Sequence, residues 1–170
     1  AVPFPPSALV FDLDDTLTIR GKISPRCLSA LYAASDRGLE ILIATGRPMY
    51  AISRQIQALP FIRYFLTSNG SRIIDQKTGQ EFLFPIKKQE VLAFTETILP
   101  HVEAIHFHTT RYFRTPIHTY LHSSFLLHDL LTNPDPNSIA RSSRPFIGYK
   151  ALITNTRDTI CKLNVRFRDG

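Results

Sequence analysis

Ala8-Leu9-Val10-Phe11-Asp12-Leu13-Asp14-Asp15-Thr16 is the stretch on which the reading of this chain turns. Four apolar residues without a polar alternation read as a buried strand with both faces covered. The run stops abruptly in acids and a hydroxyl. The same pattern recurs twice. Ile41-Leu42-Ile43-Ala44 ends in Thr45-Gly46-Arg47-Pro48, and the strand from Phe61 to Leu66 ends in Thr67-Ser68-Asn69-Gly70-Ser71. Between the first two strands, Ser24-Pro25 supplies an N-cap and a first-turn proline. Leu28, Leu31 and Tyr32 give that helix its apolar stripe, and Gly38 stops it. Pro48 is expected to open a second helix with Met49, Ile52, Ile56 and Leu59 on one face. Strand, helix, strand, helix, strand predicts a parallel sheet with right-handed crossovers.

The rhythm then changes. Residues 17–23 read as a small flap, and 72–75 and 81–84 as short strands around Lys77-Thr78-Gly79. A helix is expected from Lys87 to Leu99, with Val91, Leu92, Thr95 and Ile98 inward. Strands follow at Ala104–His108 and Ile160–Phe167, and the proline- and serine-bearing stretch 132–148 reads as loop. The fold class is α/β. Residues 1–78 form one domain, part of a three-layer core around a parallel sheet, and residues 79–170 a second, α+β domain.

Composition narrows the function. With 170 residues, 44% hydrophobic and 20% charged, the chain is long enough to bury a core and is not compositionally disordered. No apolar run approaches the roughly 18 residues that span a bilayer, so no membrane role is expected. The net charge of +6 is spread along the sequence, with Lys87-Lys88 the longest basic run. A nucleic-acid surface concentrates its charge, so no nucleic-acid partner is expected, and a mild positive balance suits a small anionic substrate. Cys27 and Cys161 lie in no paired spacing and read as reduced thiols. Residues 1–7 lack a basic segment and a long apolar segment, so no signal peptide is read there. A cytoplasmic location follows as the expectation. No Walker loop, G-x-G-x-x-G or G-x-S-x-G motif occurs.

In an open α/β sheet, ligands bind beyond the carboxyl ends of the strands. If the three strands are neighbours, their tips bring carboxylates, hydroxyls, an amide and glycines to one rim. Paired carboxylates repel phosphate unless a hard cation such as Mg²⁺ bridges them. The Asp-x-Asp spacing has a mechanical reading. The first carboxylate, fixed at the strand end, is placed to attack phosphorus and form an aspartyl-phosphate. The second is placed to protonate the leaving oxygen and then to activate water. Thr45 can hydrogen-bond the transferring oxygens, Gly46 admits its backbone, and the helix start after it adds a positive dipole end. Asn69 carries an amide to the same rim. Taken alone, each tip also has a plainer reading: an acidic turn, a strand-to-helix turn, and an Asn-Gly hairpin turn. Arg47 has a structural reading too, pairing with a carboxylate in the core.

Phe11-Asp12-Leu13-Asp14-Asp15-Thr16-Leu17-Thr18 closely resembles the first motif of the haloacid dehalogenase-like hydrolases, and Ala44-Thr45-Gly46-Arg47-Pro48 resembles their second. Thr67-Ser68-Asn69-Gly70-Ser71 looks like the segment leading into the large cap of the Cof-type sugar-phosphatase branch. The resemblance is tight over residues 8 to about 75, and covers 76–170 by general layout. It implies a Rossmann-like core with a cap domain. It implies Asp12 as nucleophile, Asp14 as general acid/base, and Thr45 as a phosphate-binding residue. It also implies that the Asp12 carboxylate and the Asp14 carbonyl bind Mg²⁺. Asp15 stands where many relatives have Gly and is given no catalytic role.

Two further groups that the family uses, a later Lys and a later acidic Gly-Asp-x-x-x-Asp-like motif, have no counterpart. Lys150 and Lys162 fall in the cap-like part, and Asp169 ends the sequence. Asp169-Gly170 after a strand reads as the start of a hairpin turn, so the sequence reads as C-terminally truncated and weakly active or inactive as it stands. The first strand is then expected to keep a bare edge, a surface for self-association. The six histidines, among them His106 and His108 on one strand face, lack the converging ligands of a zinc site and read as surface or substrate-facing groups of the cap. Arg111, Arg114 and His108 are candidates for holding an anionic leaving group.

The reading is a Mg²⁺-dependent phosphomonoester hydrolase acting on a small phosphorylated metabolite such as a sugar phosphate. Its alternatives are a phosphomutase and a non-catalytic phospho-ligand or protein-binding fragment.

Overall fold

The computed structural model of the protein describes residues 6–19, 21–122, 131 and 143–168. It divides into two compact units, one built from Ala1–Arg47 and Ser53–Leu83, the other from Pro48–Ile52 and Phe84–Gly170.

The first unit holds a five-stranded sheet in the order β1 (Ala8–Phe11), β2 (Glu40–Ala44), β3 (Ile62–Thr67), β4 (Arg72–Asp75), β5 (Glu81–Leu83). β1, β2 and β3 run parallel, as the sequence pattern predicts, with Phe11 opposite Ile43 and Ile43 opposite Phe65. β4 and β5 add an antiparallel meander. Ile41, Ile43 and Phe65 are fully buried and, with Ile62, Leu31 and Ile56, form the core. Helix α1 (Pro25–Asp36) starts as expected. The Ser24 hydroxyl accepts a hydrogen bond from the Cys27 amide at 3.1 Å, and Pro25 occupies the first turn. It ends at Gly38, whose φ of +83° is a conformation open to glycine at little cost.

Two expectations are corrected here. β1 is not covered on both faces, since Val10 is 59% exposed, while its place at the edge of the sheet among the described residues is the bare edge expected of it. The amphipathic helix expected after Pro48 is broken in two. Met49–Ala51 form one 3₁₀ turn, Ile52 and Ser53 are extended, and α2 spans only Arg54–Gln57. The reason is local. The Ser53 hydroxyl accepts from the Ile56 amide and starts a new helix, a competition that serine wins at N-caps and loses inside helices. Ile52 and Ile56 are still buried, so the apolar spacing marked inward positions without marking a continuous helix.

Asp75 ends β4 and anchors the turn that follows. Its Oδ1 accepts from the amides of Lys77 at 2.8 Å and Thr78 at 3.3 Å, and Arg63 reaches its Oδ2 at 2.8 Å. Burial pushes this carboxyl up, but the Lys77 and Thr78 hydrogen bonds and the Arg63 charge outweigh it and hold it below the usual carboxylate range.

The second unit holds a four-stranded sheet in the order β8 (Ser143–Phe146), β7 (Phe113–Pro116), β6 (Val102–Thr109), β9 (Ile160–Phe167). Its core joins Ile105, Phe107, Phe146 and Ile160 of the sheet to Val91 of α3 (Lys88–Ile98) and to Leu152 and Ile153 of α5 (Tyr149–Asn155). A short helix, α4 (Ile117–His122), follows β7. Residues 143–146 were expected in a loop but form β8, paired in parallel with β7. Pro145 is compatible with this because β8 is an edge strand among the described residues, and a proline lacking its N–H is tolerated at a sheet edge. Residues 132–142, and the turn expected at Asp169-Gly170, lie outside the described residues. No helix among the described residues is long and apolar enough to cross a membrane.

Candidate active site

The tip after β1 is built on alternation. Leu13 and Leu17 are buried, and between and beside them Asp12 is exposed and Asp14 half-buried. The buried Thr18 closes the loop on itself: its amide and its hydroxyl both donate to the Leu13 carbonyl, at 2.8 and 2.9 Å. The Leu17 amide reaches the Asp12 carbonyl at 3.3 Å. Asp15 takes a positive φ of 54°, which an Asp tolerates. The flap follows as expected, with Ile19 and Lys22 exchanging backbone hydrogen bonds at 3.0 and 3.1 Å.

The tips after β2 and β3 are tied to each other by backbone. The Ser68 amide donates to the Arg47 carbonyl at 2.9 Å, and the Asn69 amide to the Thr45 carbonyl at 3.3 Å. Ser68, Asn69 and Gly70 all have positive φ, at 52°, 58° and 87°. Three consecutive left-handed residues make this connection wider than a two-residue Asn-Gly turn, and β3 and β4 pair up to Thr67 and Arg72 on either side of it. The Thr45 side chain is buried. Its hydroxyl accepts from the Arg47 amide at 3.1 Å, and its own hydrogen has no acceptor among the described residues.

Arg47 ties the first tip to the other two. Its guanidinium meets Asp14 as a fork, Nε to Oδ2 and Nη2 to Oδ1, both at 2.7 Å. Sequence reading placed the partner of Arg47 in the core. The partner is instead the second Asp of the first motif, and the side chains of Arg47 and Asp14 are 42% and 45% exposed. The site residues Asp14, Thr45, Gly46 and Asn69 are therefore carried on linked loops. Asp12 stands at the end of β1, two residues before Asp14, and its carboxylate takes no hydrogen bond or ion pair among the described residues. A helix dipole behind Gly46 is not available: the next turn is a three-residue 3₁₀ segment, and α2 has four residues. Ser68 and Thr18 escaped sequence reading. Thr18 bonds the Leu13 carbonyl through its hydroxyl, and Ser68 bonds the Arg47 carbonyl through its backbone amide, and a residue's place in a loop gives no sign of which carbonyl it will meet.

A Mg²⁺ ion keeps several waters and takes one or two protein carboxylates or carbonyls, completed by substrate oxygens. The donors here fit that description. The Asp12 carboxylate is unengaged, and the Asp14 carbonyl accepts no hydrogen bond among the described residues. No three His, Cys, Asp or Glu side chains gather among the described residues, so the ion would rest on these two oxygens from this part of the chain, with water and phosphate.

The second unit brings a different result. His108 is buried, not at the surface. Its Nδ1 lies 2.9 Å from the Tyr50 hydroxyl, and its ring stacks on Phe113 at 5.4 Å. Burial, with help from the charges of Lys162 and His106, lowers its pKa to about 4. His106 is lowered too, by burial first and then by Arg166 and His118. Arg114 pairs directly with Phe107, and so shares the face of the sheet that Phe107 presents, whereas His108 points to the opposite face. Arg114 and His108 thus do not converge on one anion.

The family model described as haloacid dehalogenase-like hydrolase matches residues 9–163. The chain belongs to this family. Solved structures of similar fold include a haloacid dehalogenase-like hydrolase from B. subtilis, 16% identical with a TM-score of 0.65 over 91% of this chain and 59% of that one. A HAD subclass IIB sugar phosphatase is 22% identical with a TM-score of 0.65, over 89% of this chain and 56% of that one. A phosphatase of the superfamily from Bacteroides thetaiotaomicron is 19% identical with a TM-score of 0.64, over 96% and 59%. The Cof-type resemblance of the motifs agrees with this fold. The chain spans less than three fifths of the length of these structures. No curated protein matches it.

Proposed function

We propose that the protein is a Mg²⁺-dependent phosphomonoester hydrolase for a small phosphorylated metabolite such as a sugar phosphate, working through an aspartyl-phosphate. The observation that carries this reading is the contrast between two neighbouring acids. Asp12 is exposed and unengaged at the end of β1, while Asp14 is held by Arg47 on the linked loops. Family membership and the phosphatases among the proteins of similar fold support it.

In the first step an Asp12 oxygen forms a bond to phosphorus as the bond to the leaving oxygen breaks, and Asp14 delivers a proton to that oxygen. In the second step Asp14 takes a proton from water as the water oxygen bonds to phosphorus. The Asp12–phosphorus bond breaks and inorganic phosphate departs. The Thr45 hydroxyl donates to a phosphoryl oxygen, and the backbone at Gly46 and the Asn69 amide line the same rim. A bound Mg²⁺ would neutralise the charge that otherwise sets carboxylate against phosphate.

The test is the Asp12→Asn substitution in the full-length protein, assayed for phosphate release from an aryl phosphate. Release is expected to vanish, and undiminished turnover removes the proposal. Product analysis separates hydrolysis from mutase action: free phosphate in one case, an isomerised phosphate ester in the other.

A further inference from the structure

The fork between Arg47 and Asp14 poses a chemical problem for the reaction just described. A carboxylate that accepts two hydrogen bonds from one guanidinium is anchored in a single orientation, with one lone pair left on each oxygen. In the arrangement seen, Asp14 is turned to Arg47 and is not at liberty to follow a leaving group. The same guanidinium has the planar geometry that matches two oxygens of a phosphoryl group as well as two of a carboxylate. Arg47 also belongs to the phosphate-side loop. Its amide donates to the Thr45 hydroxyl at 3.1 Å, and its carbonyl accepts from the Ser68 amide at 2.9 Å.

We infer that Arg47 is a positioning residue that exchanges partners: it holds Asp14 while the site is empty and passes to the phosphoryl oxygens when substrate enters, which frees Asp14 for the leaving group. The inference rests on the hydrolase reading and adds a substrate-dependent control of its acid. The exchange makes and breaks no covalent bond. It is energetically accessible, because an ion pair this exposed favours its closed form by up to about fivefold. A buried fork would hold Asp14 too firmly to be displaced by substrate, and a fully solvated one would not hold it at all.

Competition for one guanidinium predicts a specific coupling in phosphate binding, which is read without any turnover. The probe is inorganic phosphate with Mg²⁺, titrated into the purified full-length protein by calorimetry. Asp14→Ala removes the fork on Arg47 and is expected to tighten phosphate binding, by up to about fivefold. In an Arg47→Met background the same Asp14→Ala change is expected to give no tightening. Arg47→Lys keeps the charge but loses the fork, and should also lose most of the gain; it serves if the Met variant folds poorly. In wild-type protein the Arg47 Nε–H resonance should shift as phosphate is added. An equal gain in both backgrounds would mean that Asp14 repels phosphate through space only, and it overturns the exchange. So does an absence of gain, or an absence of phosphate binding. Loss of hydrolysis on Asp12→Asn is a separate result, so the two readings fail separately.

Discussion

His108 should make the second unit sensitive to mild acid. The ring is buried on the sheet face away from Phe107, beside the Tyr50 hydroxyl and opposite Lys162 of β9 in the strand register. Burial first, then the charges of Lys162 and His106, lower its pKa from 6.5 to about 4. The sign follows from proton counting. Above pH 6.5 the ring is neutral whether the chain is folded or not. Between 6.5 and 4 the unfolded chain takes up a proton that the folded chain refuses, so stability falls as pH falls. Below 4 both forms are protonated and the loss is complete. At 1.36 kcal/mol per pH unit, the total is on the order of 3 kcal/mol. With a urea m-value of about 1–3 kcal/mol/M, the unfolding midpoint should drop by roughly 1–3 M between pH 7 and pH 4. His106, shifted in the same direction, adds to the loss. Asp75 acts in a separate window. Its lowered pKa supports the fold above 3.8 and is lost only as pH falls below that value. The assay is urea unfolding at a series of pH values, for wild type and for His108→Gln, which keeps a hydrogen-bonding group and does not titrate in this range. The variant's midpoint should fall much less. Parallel curves for the two proteins, or a His108 ring titrating near 6.5 by NMR, would refute the argument.

Other perturbations test the scaffold and the site. Phe107→Ala removes a fully buried ring from the core of the second unit and should cost about 3–5 kcal/mol, measured by denaturant unfolding. Ser24→Ala removes the N-cap of α1 and should cost about 1 kcal/mol, whereas Ser24→Asp should restore it. Gly38→Ala places a Cβ at φ +83° and should lower stability by about 1 kcal/mol, even though nothing lies within 4 Å of the added atom. In the full-length protein, chelating divalent cations should abolish phosphate release, and adding Mg²⁺ back should restore it.

The sequence and the structure agree where a residue's role is set by its neighbours in the chain. Ser24-Pro25 and Gly38 bracket α1 because capping and positive φ are local physics. The runs around Ile43 and Phe65 are strands because short, largely apolar segments rich in β-branched and aromatic residues bury well in a sheet. Agreement fails where a distant group decides. Val10 reads as interior, yet it is 59% exposed, because what covers the face of a strand is decided by distant segments and not by the run. Pro145 reads as loop, yet the edge of a sheet accommodates it. His106 and His108 read as surface or substrate-facing groups, but His108 is buried, and Tyr50, 58 residues earlier in the chain, provides it a partner. Arg47 is the sharpest case. Its motif makes it conspicuous, but only coordinates show that the carboxylate it meets is Asp14.

The buried polar residues of the first unit explain why the site is legible at all. Thr18, Thr45, Thr67 and Ser68 are the buried hydroxyl residues of that unit among the described residues, and all four lie at or beyond the carboxyl ends of β1, β2 and β3. Thr18 donates to Leu13, Thr67 to the Arg72 carbonyl at 3.2 Å, Thr45 accepts from Arg47, and the Ser68 amide donates to Arg47. Burying a hydroxyl in place of a methyl group gains little stability even when it is bonded. Three bonded threonine hydroxyls and the Ser68 amide at one end of the sheet tie three irregular loops together, an ordering that a catalytic rim would require before any substrate arrives. Above these loops Asp12 is exposed, and the paired side chains of Asp14 and Arg47 are nearly half exposed. Rigid backbone beneath mobile charged groups is the physical combination that phosphoryl transfer through Asp12, with Arg47 moving between Asp14 and phosphate, would need.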